Sequence, residues 1–281
     1  MAKKVAIITG ADGGMGRIIT KRLAMDGYKV IMACENKQKA KPVCDAIKAE
    51  TNTNIELYQL DLASIQSIKQ FVQEVTEAHS QIDLLLNNAG ALPAKPTVTQ
   101  DGYELVAGVN YLGHYILSTE LLPFFSKSTR IVNMASFSHK WFRLSPQFLK
   151  PVNQRNYNRF RCYSNSKLAL VYFTLDKSEE WKKRGIMINC ADPGIVNTSI
   201  ISMHNKVIDS LCNIFFRPFI KTPAQGAETM LWLATSPETE NLTGGYFRDK
   251  KPNGIPSRIT NSKQRIWLRN LTNSIIAKHN L

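Results

Sequence analysis

Several features that mark other protein classes are missing from this sequence of 281 residues. Its five cysteines are an odd number, and no two are spaced as Cys-x-x-Cys, which argues against a disulfide framework and a zinc site. No uninterrupted apolar run approaches the roughly 18 residues of a membrane span. The apolar run at residues 5–9 is also too short for the core of a signal peptide. These absences predict a cytoplasmic protein with no metal site.

Acidic residues are missing from two long parts of the chain. Residues 121–175 contain nine basic residues and no acidic one, and residues 248–281 contain eight basic residues and one acidic one. Of the formal charge of +14, these segments contribute +9 and +7, which leaves −2 for the rest of the chain. The positive excess is therefore local, and its meaning depends on what those two segments do.

Three interpretations of the basic segments stay open at this stage. They steer an anionic substrate or the phosphates of a cofactor, or residues 263–269 and an aromatic cluster at 215–220 contact an anionic membrane surface. In the third, which we favour, the cluster is a substrate lid or a subunit contact and the basic side chains are solvated. No nucleic-acid-binding motif accompanies the charge, so we expect no nucleic acid partner.

Short apolar runs alternate with stretches of helical spacing along most of the chain. This alternation predicts an α/β fold, a doubly wound parallel sheet with helices on both faces. A break in the rhythm marks residues 195–222, and neither a linker nor a repeat divides the sequence, so we expect one domain over residues 1–281. The predicted strands cover residues 4–9, 29–33, 55–60, 82–86, 131–134 and 186–191, with a short one near Tyr246, and the longest helix covers residues 157–184.

A glycine-rich loop follows the first predicted strand and opens a helix. Its spacing, Gly-x-x-x-Gly-x-Gly, differs from the commoner dinucleotide fingerprint Gly-x-Gly-x-x-Gly. Glycines between a strand and a helix let backbone N–H groups approach a pyrophosphate at the start of the helix. The loop therefore predicts a dinucleotide site formed by Thr9, Gly10, Asp12, Gly14, Met15 and Gly16.

Glu35 ends the second predicted strand, about twenty residues beyond the glycines. A carboxylate here accepts hydrogen bonds from the ribose hydroxyls of adenosine and repels a 2′-phosphate, so Glu35 favours NAD over NADP. In the alternative, Glu35 is a solvated loop residue and Lys37 and Lys39 bind a phosphate.

Tyr163 and Lys167 lie four residues apart, on one face of the longest predicted helix. A free tyrosine has a pKa near 10, and a neighbouring ammonium group lowers that pKa. Tyr163 is therefore a candidate general acid or base for the interconversion of an alcohol and a carbonyl.

Taken in order, these motifs resemble the short-chain dehydrogenase/reductase family. The resemblance covers about residues 1–250, and the later part resembles the retinol-dehydrogenase-like branch. The motifs that carry it are residues 9–16, Asp61-Leu62, residues 87–90, Asn110, Ser136, residues 163–167, and Pro193-Gly194 with Thr198.

The resemblance implies an NAD(P)-dependent oxidoreductase with Asn110, Ser136, Tyr163 and Lys167 as catalytic residues. Lys167 would hold the nicotinamide ribose and lower the Tyr163 pKa, and Asn110 would position Lys167 through a water. The further cofactor contacts implied are Asp61, Leu62, Asn88, Ala89, Gly90, Tyr163, Lys167, Pro193, Gly194, Val196 and Thr198.

The resemblance also implies a homodimer formed through the long helices, a substrate loop at residues 195–222 and a C-terminal extension at residues 250–281. Branch members that use NADP usually carry an arginine where this chain has Glu35, so their choice of cofactor does not carry over to this chain. An apolar or amphipathic alcohol or carbonyl is the expected substrate. The alternative is a protein of the same fold that has lost catalysis and acts by binding a nucleotide or a membrane surface.

Overall fold

The structure, a computed structural model, describes residues 3–196 and 220–281. These residues form one eight-stranded sheet in the order β3-β2-β1-β4-β5-β6-β7-β8. All neighbouring strands are parallel except β7 and β8. The strands are β1 (Val5–Thr9), β2 (Lys29–Cys34), β3 (Ile55–Gln59), β4 (Ile82–Asn87), β5 (Phe125–Met134), β6 (Met187–Asp192), β7 (Tyr246–Arg248) and β8 (Lys251–Pro252).

Helices cover both faces of the sheet, as the sequence predicts. Strand β1 shows the division, because Val5 and Ile7 belong to one apolar cluster and Ala6 and Ile8 to the other. The helices are α1 (Gly14–Met25), α2 (Lys37–Thr51), α3 (Ile65–Ala78), α4 (Leu105–Ala107), α5 (His114–Glu120), α6 (Arg159–Lys182), α7 (Pro223–Thr235), α8 (Ser257–Thr260) and α9 (Lys263–Lys278). Residues of α1, α2 and α7 pack on one face, and residues of α3, α5, α6 and α9 pack on the other.

Local sequence explains where several helices begin. Ser64 accepts a hydrogen bond from the Ser67 N–H and caps α3. Thr222 and Gln225 form a reciprocal capping box at α7, whose first residue is Pro223.

Strand β5 begins six residues before its predicted start. Its first half, Phe125 to Arg130, is largely polar, so no apolar run marks it, and it pairs with β4 through an irregular register between Ile82 and Leu84. Pairing with a neighbouring strand, and not the local pattern, defines this half of the strand.

A π-helical segment, Gly108–Gly113, joins α4 to α5 and places Asn110 inside it. Such segments occur mostly as single turns within α-helices, often at functional sites. The extra residue in the turn changes the direction in which the following side chains point.

Helix α9 packs against α6 and against the α4–α5 region. Arg265 of α9 forms an ion pair with Asp176 of α6, and the Thr272 hydroxyl lies 2.7 Å from the Tyr111 hydroxyl. Leu268 and Ile275 of α9 are buried in the same apolar cluster as the α6 residues. The C-terminal extension thus covers part of α6 and part of the α4–α5 region.

Within residues 3–196 and 220–281, no helix has the length and hydropathy needed to cross a membrane. The same residues contain no group of three or more His, Cys, Asp or Glu side chains arranged to hold a metal ion.

Candidate active site

A cavity of about 460 Å³ opens at the carboxyl ends of β1, β2, β3 and β4. The strand order reverses between β1 and β4, and in open α/β sheets ligands bind in the crevice outside such a reversal. The residues that line the cavity follow each of these four strands directly, so the fold itself brings the predicted cofactor motifs together.

All of the predicted cofactor residues up to Gly90 line this cavity. They are Thr9, Gly10, Asp12, Gly14, Met15, Gly16, Glu35, Asp61, Leu62, Asn88, Ala89 and Gly90. Tyr163, Lys167, Pro193, Gly194 and Val196 do not line it, and Thr198 lies outside the described residues. The lining residues that were not predicted as cofactor contacts are Gly13, Ala33, Asn36, Lys39, Leu60, Ala63, Ala91, Leu105 and Val109.

The glycine loop has the backbone geometry that a bound pyrophosphate requires. Gly10 has a φ of 61°, in the left-handed region that favours glycine. A Cβ on Gly16 would lie 2.1 Å from the Gly10 carbonyl oxygen, so only glycine lets α1 approach the loop this closely. The left-handed backbone at Gly10 and the close approach at Gly16 explain why glycine stands at these two positions of the loop.

Two further observations show that a dinucleotide fits the cavity. Gly13 caps α1 without a side-chain acceptor, so the first N–H groups of the helix are available to phosphate oxygens. The Asn88 Oδ1 atom is buried and has no hydrogen-bond partner among the described residues, although Asn88 Nδ2 donates to Thr9 O at 2.9 Å.

Carboxylates outnumber cations in the cavity wall. Asp12, Glu35 and Asp61 line it, whereas Lys39 is the one lysine or arginine among its described lining residues. Lys37, the other lysine considered, is not part of the wall.

Asn110 lies between the cavity and Lys167, the lysine predicted to be catalytic. Its Oδ1 accepts the Ala91 N–H at 2.7 Å, and its Nδ2 donates to the Ser166 hydroxyl at 3.1 Å. A Cβ on Gly90 would lie 3.6 Å from Asn110 Oδ1 and 3.9 Å from Lys167 Nζ. The lysine thus lies directly behind the cavity wall, next to Asn110.

Lys167 is buried and donates from Nζ to the Met134 carbonyl oxygen at 2.7 Å. Burial lowers the pKa of Lys167 to about 8, while Cys190 and Asp192 act in the opposite direction. The ammonium group lies 5.3 Å from the centroid of the Tyr163 ring.

The pKa of Tyr163 departs from the sequence expectation. The pKa of Tyr163 is raised to about 12, chiefly by burial and also by the charge of Asp192, while hydrogen bonding with Ser136 acts in the other direction. The expected lowering by Lys167 is wrong for this arrangement, because the lysine donates to Met134 and burial is the dominant effect. Ser136 and Tyr163 are nevertheless brought together, as predicted.

His114 connects the π-helical segment to the glycine loop. Its Nδ1 lies 3.1 Å from the Asn110 carbonyl oxygen, and its Nε2 lies 2.9 Å from Thr9 Oγ1. Thr9 Oγ1 also accepts the N–H groups of Asn88 and Ala89. Burial lowers the His114 pKa to about 4, so this ring holds the site together as a neutral side chain. The interpretation of His114 as a packed helix residue agrees with these contacts.

Three further buried side chains, those of Asp192, Tyr246 and His139, contact one another near the predicted catalytic residues. Asp192, at the end of β6, accepts a hydrogen bond from the Tyr246 hydroxyl at 2.6 Å, and the Tyr246 and His139 rings lie 4.5 Å apart. The sequence offered one signal for Asp192, since it is a polar residue at the carboxyl end of a buried strand, where ligands bind in this type of sheet.

The Pro193-Gly194 turn follows Asp192. Gly194 has a φ of 77°, and its N–H donates to Asp192 Oδ1 at 2.9 Å. Val196 is buried, and its side chain and that of Met15 both border Gly226. A Cβ on Gly226 would lie 2.6 Å from Val196 Cγ2 and 3.0 Å from Met15 Sδ, so the two side chains are neighbours. The turn therefore runs toward the glycine loop, as the cofactor assignment of these residues requires.

The two basic segments meet on one side of the molecule. Arg258 donates to the Lys140 carbonyl oxygen at 2.6 Å, and Gln264 bonds with both backbone polar groups of Leu144. The charge is not a uniform ring, because Arg130 donates to carbonyl groups at the end of α7 and Lys167 is buried against the Met134 carbonyl oxygen. The steering of an anionic substrate or of cofactor phosphates by these segments therefore stays a prediction. Residues 215–219 of the aromatic cluster lie outside the described part of the chain.

Comparison with known proteins agrees with this geometry. A family model described as short chain dehydrogenase matches residues 4–145 and 151–207. The chain belongs to the short-chain dehydrogenase family. The prediction of this family from the ordered motifs is confirmed.

Curated relatives within the family support the predicted branch. Retinol dehydrogenase 14 of Mus musculus is 34% identical, over 95% of this chain and 84% of its own length. Retinol dehydrogenase 12 of Homo sapiens is 33% identical, over 94% of this chain and 84% of its own length. This short-chain dehydrogenase is thus similar to retinol dehydrogenases along most of its length.

Solved structures of short-chain dehydrogenases share the fold. A Beutenbergia cavernae protein with NADP bound at low occupancy is 26% identical, with a TM-score of 0.69, and the match covers 88% of this chain and 95% of that one. The chain is therefore an NAD(P)-dependent oxidoreductase of the alcohol and carbonyl type, and no observation supports the catalytically silent alternative.

Proposed function

We propose that this short-chain dehydrogenase interconverts an apolar or amphipathic alcohol and its carbonyl compound with NAD(H) as cofactor. The observation that carries the proposal is the position of Lys167, whose Nζ lies 3.9 Å from where a Gly90 Cβ would be, directly behind the cofactor cavity. The lysine that would hold the nicotinamide ribose and the dinucleotide site thus lie next to each other.

Some of these side chains would bind the cofactor, and others would bind the substrate oxygen and transfer the proton. The glycine loop and Asn88 would hold the dinucleotide, which supplies or accepts the hydride when bound. Ser136 donates a hydrogen bond to the substrate oxygen, and the Tyr163 hydroxyl gives its proton to that oxygen during reduction or takes it back during oxidation. Lys167 and Asn110, which are fixed by hydrogen bonds to Met134 and Ser166, would position the nicotinamide end of the cofactor next to Tyr163.

The charge of the cavity wall supports NAD. A 2′-phosphate would meet the carboxylates of Asp12, Glu35 and Asp61 with Lys39 as the opposing cation. Unit charges about 4 Å apart repel by about 1 kcal/mol even in water, which is about fivefold in a binding constant. We therefore propose that this protein discriminates against NADP.

The proposal of an apolar substrate rests on the relatives. Two curated relatives are named retinol dehydrogenases, which act on an apolar alcohol by name. Long-chain and cyclic apolar alcohols and aldehydes are accordingly the first substrates to test.

A two-dimensional panel tests the proposal. Apolar, carboxylated and small polar carbonyls are assayed with NADH and NADPH, and the alcohols with NAD and NADP. We expect turnover with NADH and an apolar carbonyl. The Glu35→Gln variant should improve kcat/KM for NADPH relative to NADH by about fivefold, and Lys39→Gln should change that ratio in the opposite direction. Absence of turnover across the panel refutes the activity, and an unchanged cofactor ratio in Glu35→Gln refutes the basis for NAD.

Helix α9 occupies part of the surface through which the expected dimer would form. Helix α9 lies on part of α6 and of the α4–α5 region, where it forms the Arg265–Asp176 ion pair and the Tyr111–Thr272 hydrogen bond. We propose that the chain does not pair through these helices while α9 is in place. Sedimentation of the full chain and of a chain ending before residue 263 compares the two states, and a dimer whose interface buries α6 of the full chain refutes the proposal.

We also propose that the protein is cytoplasmic. Cys34, Cys44, Cys162 and Cys190 are free thiols in the described part of the chain, which suits a reducing compartment. Fractionation of cells that express the tagged chain tests this, and recovery in a membrane or secreted fraction refutes it.

A further inference from the structure

Another cavity, of about 270 Å³, lies where the two basic segments meet. The buried side chains of Leu168 and Tyr172, on α6, form its base. Residues 142–143 and residues 258–264, which include parts of α8 and α9, complete its wall. None of its described lining residues belongs to the wall of the cofactor cavity. The volume is several times the roughly 30 Å³ that one water molecule occupies in the liquid, so a small ligand fits.

Three cations and no carboxylate line this cavity among the residues that the structure describes. Arg143 comes from the basic segment at residues 121–175, whereas Arg258 and Lys263 come from the one at residues 248–281. None of the three forms a salt bridge with a described acidic residue. The charge of the wall is therefore opposite to that of the cofactor cavity.

Asp176, on the same helix as the base of the cavity, does not balance these cations. It follows Tyr172 by one helical turn and is not part of the wall. Its carboxylate forms an ion pair with Arg265, and Arg269 Nη1 lies 3.9 Å from it. The charge of Asp176 is thus offset by arginines that do not line the cavity.

Hydrogen bonds to two helices fix the wall that carries Arg143. Asn165 of α6 donates to the Arg143 carbonyl oxygen at 3.1 Å and accepts the Ser145 N–H at 2.9 Å. Gln264 of α9 accepts the Leu144 N–H at 3.2 Å and donates to the Leu144 carbonyl oxygen at 2.7 Å. Because this backbone is held before a ligand arrives, less conformational entropy is lost on binding.

Polar groups other than the cationic side chains also border the cavity. Tyr172 is only 1% exposed and yet lines it. Burial raises the pKa of Tyr172, whereas hydrogen bonding with Ser262 and the charges of Arg258 and Arg265 lower it, so these groups surround its hydroxyl. Lys263 is the first residue of α9, so its N–H has no partner within the helix and belongs to the positive end of the helix dipole.

We propose that this cavity binds a phosphate group, with Arg143, Arg258 and Lys263 as its charged donors and the Tyr172 hydroxyl as a neutral one. A guanidinium group matches two phosphate oxygens with paired hydrogen bonds, and an ammonium group adds a compact charge. A bound phosphate connects the segment before α6 with the start of α9, so it stabilises the packing of the C-terminal extension.

The apolar part of the wall favours a phosphate ester over free phosphate. Phe142, Leu168 and Ile259 line the cavity beside the cations, and an apolar or aromatic body packs against such side chains. A soluble phosphate ester and the headgroup of a lipid both present this chemistry, so the test includes one probe of each kind.

Calorimetric titration and thermal unfolding with phenyl phosphate test the proposal, with NADH present to occupy the cofactor cavity. At ten times its Kd the ester should raise Tm by about 3–6 °C. Arg143→Gln and Lys263→Gln each remove an exposed cation, so both variants should fold. Each should weaken phenyl phosphate binding by at least about fivefold, the contribution of one charge pair about 4 Å apart in water.

Lys278→Gln is the matched control, because it removes an exposed lysine of α9 that does not line the cavity. Its affinity for phenyl phosphate should equal that of the wild-type protein. Sedimentation with phosphatidylcholine vesicles, with and without phosphatidic acid, tests the lipid source. Binding of phenyl phosphate supports a soluble ester, and binding only to phosphatidic acid, lost in Arg143→Gln, supports a lipid headgroup.

Three results would overturn the proposal. The first is that neither phenyl phosphate nor phosphatidic acid binds. The second is that sodium chloride at equal ionic strength raises Tm as much as phenyl phosphate does, since the effect would then be charge screening. The third is that Arg143→Gln and Lys263→Gln bind both probes as the wild-type protein does.

Discussion

Replacing Gly16 with alanine should force helix α1 away from the strand that precedes it. The added Cβ would lie 2.1 Å from the Gly10 carbonyl oxygen and 2.9 Å from the Ala11 Cα. Both neighbours are backbone atoms, so no change of side-chain rotamer relieves the contact. Because comfortable contacts begin near about 3.5 Å, the loop and the helix must separate by more than about 1 Å.

The cost of this separation follows from the packing around the loop. Overpacking a tight interior costs about 1–3 kcal/mol. For a protein of this size each kcal/mol lowers Tm by about 2–4 °C, so Tm should fall by roughly 2–12 °C. The first N–H groups of α1 also move, so NADH binding should weaken by at least about tenfold.

Thermal unfolding and NADH fluorescence titration measure both effects. Gly13→Ala is a control within the same loop, since its Cβ would lie 3.4 Å from the Gly10 carbonyl oxygen. Gly254→Ala is the neutral control, with no atom within 4 Å of its Cβ. If Gly16→Ala matches Gly254→Ala in Tm and the wild-type protein in NADH affinity, the steric argument for this glycine is wrong.

Three other substitutions test the site and its support. Tyr163→Phe keeps the ring but loses the proton, so kcat should fall by at least about 100-fold with NADH affinity preserved, and a smaller loss argues against acid–base catalysis. Folded His114 stays neutral until its pKa of about 4, whereas unfolded histidine takes up a proton near pH 6.5. Stability should therefore fall by up to about 3 kcal/mol as the pH drops from 6.5 to 4. Denaturant titrations of His114→Gln should lack that part of the loss, and an unchanged slope would contradict the assignment. Arg265→Ala leaves the Asp176 carboxylate, whose side chain is 9% exposed, without its main partner and should cost about 1–3 kcal/mol. Arg22→Ala, at an exposed ion pair with Asp26, should lower Tm far less, and equal losses would contradict a special role for Arg265.

Much of the fold was predictable because its signals are local. Buried parallel strands appear as short apolar runs, and these placed β1 to β4 and β6 within about two residues of their observed bounds. The polar first half of β5 carries no such signal, since the sheet pairing of Phe125 with Ile82 defines it.

The cofactor residues were predictable for a similar reason. The glycine loop, Glu35, Asp61 and residues 88–90 each follow a strand immediately, and the ends of neighbouring parallel strands meet in one crevice. The direction of the Tyr163 pKa shift was not predictable, because it depends on burial and on the partner that Lys167 selects.

The sequence by itself determined the family, and it predicted the cofactor loop and the catalytic roles of Tyr163 and Lys167, because each motif lies within one turn or one strand–helix junction. Only the tertiary structure decided which distant residues support them. His114 meets Thr9 across 105 positions, Tyr246 meets Asp192 across 54, and Thr272 meets Tyr111 across 161. Such contacts follow from the order of strands in the sheet and from the position of α9, and no local sequence pattern predicts either of these.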